Sequence, residues 1–220
     1  QGIIDDLRNF DIQIDEGVIS VTEEIGAYGP YIQSKRREIY RTYAKSLVER
    51  GLAYPCFCTH EELDETRKMQ ELNKERIGIY GSYAKCRFLS SEERAERIRR
   101  GDKFIVCLKS PGDFRKRISY QDLVRGKIEF PENDQDTVLI KSDGLPLYHF
   151  AHAIDDHLMH TTHVIRGEEW ISSVPDHLQL FQVLGFKPPK YAHLGVVMKV
   201  DENGTRRKKK WGQKREIRTK

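Results

Sequence analysis

In "QSKRREIYRTYAKSLVERG", Ile39, Tyr43, Ala44, Leu47 and Val48 recur at helical spacing, and Gly51 fits just past the end. On this pattern the first fifty-odd residues read as helical. After "YPCFC" the chain turns polar, and two capping signatures, Thr59 with Glu62 and Ser90 with Glu93, open short charged helices poor in apolar residues. From Lys103 the period changes to two, so that "KFIVCLK", "GKIEF" and "DTVLIKSDG" predict strands separated by Gly, Pro and Asn turns. "PLYHFAHAIDDHLM" and "HVIRGEEW" then precede a helix over "SSVPDHLQLFQVLG", with Ser173 as candidate cap, Pro175 in the first turn and Gly185 after the last periodic residue. "KPPKYAHLGVVMKV" reads as a turn and a strand. No internal repeat is present. A helical start, a polar middle and a strand–helix–strand finish predict an α/β domain interrupted by an insertion.

Composition narrows this only a little. With 220 residues, 38% hydrophobic and 33% charged, the chain can bury a core and has the balance of a soluble globular protein. No apolar run approaches a membrane span, and the N-terminal segment has no signal-peptide anatomy. Four cysteines without a secretory signal point to a reducing compartment and to free or metal-bound thiols. The net charge of +4 is concentrated in the last sixteen residues, "TRRKKKWGQKREIRTK", which read as a solvated end or a nucleic-acid contact. Because the chain opens on Gln, directly into an amphipathic pattern, it is expected to start inside a longer protein.

Three groups of residues could carry chemistry. Five of the eight histidines fall between His149 and His163. Metal binding by them is set against ordinary packing, since three-residue spacing joins two imidazoles only on a helix and no HExxH-like base lies between them. Cys56 and Cys58, with Cys86 farther on, form a better metal candidate; Tyr80, Tyr83 or His60 could complete four-coordination, and the alternative is three buried thiols packed as small hydrophobes. Cys107 alternates with apolar residues and belongs to the core. In "VIRGEEW" an apolar strand ends in Arg-Gly and two acids, at the sheet edge where open α/β folds bind ligands. Arg166 offers a planar fork for a carboxylate or phosphate, with a strand-end salt bridge to Glu168 or Glu169 as the plain alternative. Trp170 could stack on a base or cover the core.

The stretches "YGPYIQSKR", "GLAYPCFC", "IKSDGLPLYHFAHAIDDHLM", "THVIRGEEWISSVPDH" and "PKYAHL", in this order, closely resemble the catalytic region of bacterial-type glutamyl-tRNA synthetases, which are class I aminoacyl-tRNA synthetases. The resemblance implies a partial Rossmann-like catalytic domain interrupted by an α+β insertion that binds the tRNA acceptor stem. The implied division is residues 1–56 for the end of the first catalytic half, 57–136 for the insertion, 137–204 for the second half, and 205–220 for a basic tail. It further implies a ligase that uses ATP with Mg2+, L-glutamate and tRNA(Glu), cytoplasmic and monomeric. Arg166 and Tyr148 match the glutamate pocket. Glu169 and Trp170 match positions beside the adenosine of ATP, and "AHL" with His193 and Leu194 leads to the strand that meets adenine. No role is carried onto His152. Some members bind Zn2+ through a C-x-C pair and a later Cys, matching Cys56, Cys58 and Cys86, with a tyrosine as fourth ligand in some relatives; Tyr80 and Tyr83 straddle its place.

Two departures from the family stand out. The HIGH-type segment that binds ATP phosphates is expected upstream of Gln1. Where a KMSKS-type loop should follow "DENGTRRK", the chain reads "KKWGQKREIRTK". Permitted codons shifted back by one base across 210–220 can spell Met-Gly-Ser-Lys-Lys-Arg-Asp-Pro-Asp-Glu, close to the family's loop, so a frameshift is inferred there. Both motifs stabilise charge on the α-phosphate, and without them the chain alone is expected to activate little glutamate. The rival readings are a non-catalytic, zinc-stabilised fragment that binds the acceptor end, and an enzyme like the shorter relative that glutamylates a queuosine base of tRNA.

Overall fold

The computed structural model describes residues 2–195 and the backbone of 198–200 and 206–208. The basic tail's side chains and the whole of 209–220, including the segment read as frameshifted, lie outside the described residues. The elements are α1 (Gly2–Asn9), β1 (Gly17–Val18), β2 (Glu24–Ile25), α2 (Arg37–Glu49), β3 (Ala53–Cys56), α3 (His60–Leu72), α4 (Ser91–Arg99) and β4 (Ile105–Leu108). They continue with β5 (Arg117–Asp122), β6 (Gly126–Pro131), β7 (Val138–Ile140), α5 (Tyr148–Leu158), β8 (His163–Gly167), α6 (Val174–Leu184), β9 (Lys190–Leu194), β10 (Met198–Val200) and β11 (Arg206–Lys208).

The α2 pattern holds, with Tyr40, Ala44 and Leu47 buried and Gly51 in a left-handed conformation (φ 69°) just past the end. The expectation of helix through the first fifty-odd residues does not hold. Between α1 and the 3-10 turn at Gln33–Arg36 the chain forms the small β1–β2 hairpin. Gly17 and Gly26 adopt φ of 138° and 122° there, which a helix cannot use. Both capping boxes form, at Thr59–Glu62 and Ser90–Glu93, each with the reciprocal side-chain bond. Pro175 sits in the first turn of α6 and Gly185 ends it at φ 76°, but Ser173 makes no side-chain cap.

The α/β class is as expected. β3, β4 and β7 form one antiparallel sheet in the order β3-β4-β7, β5 and β6 form a hairpin, and β8 and β9 pair in parallel across α6. A parallel pair needs a crossover of this kind, since a tight turn can join only antiparallel strands. Tyr40, Leu47, Leu108, Leu139, Phe150, Ile154, Leu180 and Phe181 fill a core shared by α2, β4, β7, α5 and α6. A smaller cluster joins Tyr54, Cys56, Phe57, Cys86 and Cys107. The β5–β6 turn docks on β9: the Leu123 amide donates to the Tyr191 carbonyl (2.9 Å). That contact brings a hairpin from the middle of the chain against the strand pair that carries Arg166.

Candidate functional site

β8 and β9 run side by side with Val164 opposite Tyr191 and Arg166 opposite His193. Because side chains alternate along a strand, Val164 and Arg166 share one face and meet Tyr191 and His193 on the same side. Arg166 therefore stands near the carboxyl end of a parallel strand, over the Tyr191 ring (5.0 Å to its centre). Its Nε donates to His193 Nε2 (3.0 Å), Nη1 to the Tyr148 hydroxyl (3.4 Å) and Nη2 to the Trp170 carbonyl (3.3 Å). Nη2 also lies 3.5 Å from His177 Nδ1.

The strand-end salt bridge does not form. Glu168 pairs with Arg125, and the carboxylate of Glu169 folds back into the space left by the missing Cβ of Gly167. Among the described residues, no carboxylate lies within ion-pair distance of Arg166. This half-buried cation is instead held by neutral acceptors and rings.

The rings come mainly from α5 and α6. His149 and His152 are one helical turn apart on α5 and both face His177: His149 Nδ1 lies 2.8 Å from His177 Nε2, and the His152 ring is 4.3 Å from that of His177. His152 Nε2 is 3.2 Å from the Tyr191 hydroxyl. Burial, reinforced by the charge of Arg166, lowers the pKa of His152 to about 4. Burial, then the neighbouring His152 and Arg166, lowers that of His177 to about 2. His149 is also lowered, by burial first. All three are neutral at pH 7, so they add acceptors and apolar faces around Arg166 without adding charge. Tyr148 and Trp170 close the outer side, with their rings 4.9 Å apart. Both are partly open, at 45% and 39% exposure, so this side of the cluster meets solvent.

The remaining clustered histidines do not converge. His157 stacks on Phe186 at 3.6 Å, His160 lies against Tyr28, and His163 bonds Thr162 at the surface. Among the described residues, Cys56, Cys58 and Cys86 make up the group suited to holding a metal, with all three Sγ atoms within 4.8 Å of one another. Cys58 Sγ and Cys86 Sγ are 3.5 Å apart. A tetrahedral ion with metal–sulfur bonds of about 2.3 Å wants sulfurs roughly 3.8 Å apart, so the trio fits as three donors. Hydrogen bonds from the Cys56 and Cys58 thiols hold Cys86 down to about 2, while the other two are pushed up. Of the two tyrosines, the Tyr80 hydroxyl donates to the Arg76 carbonyl (2.8 Å) and that of Tyr83 to Glu75.

The sequence did not single out His177 and Tyr191, which touch Arg166, or Asp122, which reaches it through His193. His193 was matched to the nucleotide side; its side chain is buried between Asp122 and Arg166, its backbone bonds Asp122 and Arg125, and the neighbouring Leu194, half exposed, faces outward. Asp122 (on β5) was not singled out, because β5 itself was not read. Its signal was there: in "RISYQD", Ile118, Tyr120 and Asp122 alternate onto one inward face, and an acid on such a face calls for a partner.

A family model described as tRNA synthetases class I (E and Q), catalytic domain, matches residues 1–219. The chain belongs to this family. It is 55% identical over 212 residues to the glutamate–tRNA ligase of Clostridium beijerinckii, covering 94% of this chain and 38% of that protein. With the glutamate–tRNA ligase of Clostridium perfringens it is 53% identical over 211 residues, covering 94% and 39%. The solved glutamate–tRNA synthetase of Elizabethkingia anophelis superposes with a TM-score of 0.78 at 34% identity, over 94% of this chain and 41% of that one. A glutamate tRNA ligase from Elizabethkingia meningosepticum, solved in complex with its amino acid, gives 0.77 at 35%, over 92% and 40%. The chain thus spans about two fifths of the length of the relatives it matches. Within the class I synthetase catalytic domain, the Arg166 cluster lies at the carboxyl end of the parallel strand pair, the edge where open α/β folds take ligands. No helix among the described residues is long and apolar enough to cross a membrane.

Proposed function

We propose that this chain is the catalytic region of a glutamate–tRNA ligase. The complete enzyme forms glutamyl-adenylate from L-glutamate and ATP, then passes glutamate to the terminal ribose of tRNA(Glu). The observation that carries this reading is the state of Arg166: a cation oriented by four acceptors, with no acid paired to it among the described residues. Such a fork is short of one anion, and the side-chain carboxylate of glutamate supplies it with bidentate geometry. Tyr148 flanks that carboxylate. A glutamine carboxamide would leave the charge unpaired, which gives discrimination.

Glu169, Trp170 and the His193–Leu194 end of β9 would border ATP, which brings Mg2+. The insertion, 57–136, would meet the acceptor end through backbone contacts that weaken with salt. Cys56, Cys58 and Cys86 would hold Zn2+, and the cytoplasm is the expected location of a monomeric enzyme.

The test is glutamate-dependent ATP–pyrophosphate exchange in the protein that carries this region, with and without tRNA(Glu). Exchange should require both glutamate and tRNA. Retention of tRNA with no exchange would favour a non-catalytic acceptor-binding module, and activation without tRNA would favour the queuosine-modifying type. The zinc assignment makes a separate prediction. Purified protein should carry about one zinc per chain by mass spectrometry of the metal, and Cys58→Ser should lose most of it. A metal-free protein of unchanged thermal stability would end that assignment.

A further inference from the structure

We propose that Asp122 and His193 form a relay that sets the direction of the Arg166 fork, and so how sharply the pocket separates a carboxylate from a carboxamide. The selectivity part rests on the reading of Arg166 as the carboxylate anchor; the order of protons along the relay can be read without any substrate. Asp122 Oδ2 lies 2.6 Å from His193 Nδ1, and His193 Nε2 lies 3.0 Å from Arg166 Nε. The three residues come from β5, β9 and β8, and both His193 and Asp122 are buried.

The donor inventory fixes where the protons sit. An arginine Nε–H can only donate, so His193 Nε2 must accept. A neutral imidazole that accepts at Nε2 carries its proton on Nδ1, and that proton points at Asp122 Oδ2. The other oxygen, Oδ1, accepts from the amides of Val124 (2.9 Å), Arg125 (2.9 Å) and His193 (3.3 Å). Every contact of the carboxylate is therefore with a donor, and its orientation is held by the β5–β6 turn. Burial pushes the Asp122 carboxyl up, but the His193 bond and these amides outweigh it and keep it below its usual range. The direction passes along the chain of contacts. The turn holds Asp122, Asp122 selects the tautomer of His193, and His193 holds Nε of Arg166. With Nε committed, Nη1 and Nη2 are left on the side of the partly exposed Tyr148 and Trp170.

Asp122→Asn separates this from a merely structural role. Its carbonyl oxygen must stay on the three backbone amides, so its NH2 group takes the place of Oδ2 and faces His193 Nδ1. The ring must then accept at Nδ1 and carry its proton on Nε2, donor against donor with Arg166. Nitrogen-15 correlation spectra of the imidazoles should show His193 protonated at Nδ1 in the wild-type chain and at Nε2 in the variant. Glutamate affinity should fall about tenfold, the cost of one stranded buried donor, and glutamine affinity by less, so that selectivity narrows. His193→Gln, which keeps an acceptor oxygen near the position of Nε2, should bind glutamate more tightly than His193→Phe. A wild-type His193 protonated at Nε2, or an Asp122→Asn protein with its tautomer unchanged, would overturn the relay. Equal loss of glutamate and glutamine binding, or no difference between the two His193 variants, would overturn its role in selectivity. If the wild-type protein binds no glutamate, the reading of Arg166 fails, and the tautomers still decide the relay. If Asp122→Asn does not fold, the wild-type tautomer and the His193 pair decide it.

Discussion

Arg166→Ala is expected to weaken glutamate binding by about 2–5 kcal/mol, roughly 30- to 5,000-fold, and to remove glutamate-dependent exchange. The size follows from what surrounds the guanidinium. The ligand carboxylate would enter a pocket lined by His149, His152 and His177, all neutral at pH 7, and by the Tyr191 ring. None of these can replace the lost positive charge, so the variant must bury a carboxylate without a counter-ion. Lysine is not a substitute. It lacks the Nε–H that meets His193 and the paired Nη groups, so Arg166→Lys should behave more like alanine than like the wild type. Calorimetric titration with glutamate checks both variants. An Arg166→Ala protein within threefold of the wild type would mean that glutamate is held elsewhere.

The largest expected loss of stability is at Asp155. Arg36, only 1% exposed, donates from Nε to Asp155 Oδ1 (2.8 Å) and from Nη1 to the Pro30 carbonyl (2.7 Å). The Tyr40 hydroxyl donates to Asp155 Oδ2 (2.7 Å). Burial raises the Asp155 carboxyl, and the Tyr40 bond and Arg36 only partly offset it. The pair is therefore costly to desolvate, and more costly to break. Asp155→Ala strands the Arg36 charge and the Tyr40 hydroxyl together, and about 3–5 kcal/mol should be lost. Replacing both charges by apolar residues, Arg36→Met with Asp155→Leu, should cost clearly less than the single change, because no stranded charge remains. Urea unfolding at matched slopes measures both; a single variant within about 1 kcal/mol of the wild type would show that Arg36 finds another partner.

Where the evidence for an element was local, the sequence sufficed. The two capping boxes each depend on a side chain and a backbone group three residues away, and both form. Gly51 and Gly185 end α2 and α6 because a left-handed residue is needed there. The two strands β8 and β9 and the helix between them followed from period and length; their parallel pairing is seen only in the structure. Residues 10–32 were misread because the helical period seen over 39–48 was carried upstream into a stretch where it had not been shown; Gly17 and Gly26 take positive φ in the hairpin there. β5 was missed because Arg117, Ser119 and Gln121 interrupt its apolar residues, although alternation of this kind marks a strand with one wet face.

The candidate site divides in the same way. Arg166 and the three cysteines were legible as candidates from residue type and spacing, each beside an ordinary alternative, a strand-end salt bridge and buried packed thiols. What the sequence alone determined was the inventory: which residues could bear charge, donate, or hold a metal, and, where the period was clear, which segments were helix or strand. Only the tertiary structure decided which of them meet. Asp122 lies 71 residues from His193 along the chain, and His193 lies 27 from Arg166, yet the three are in line. The reason is that helical and strand periods are set by neighbours a few residues apart, whereas a contact across 71 residues exists only once the β5–β6 turn has docked on β9. That docking depends on the shape and packing of the whole core, which no local pattern contains.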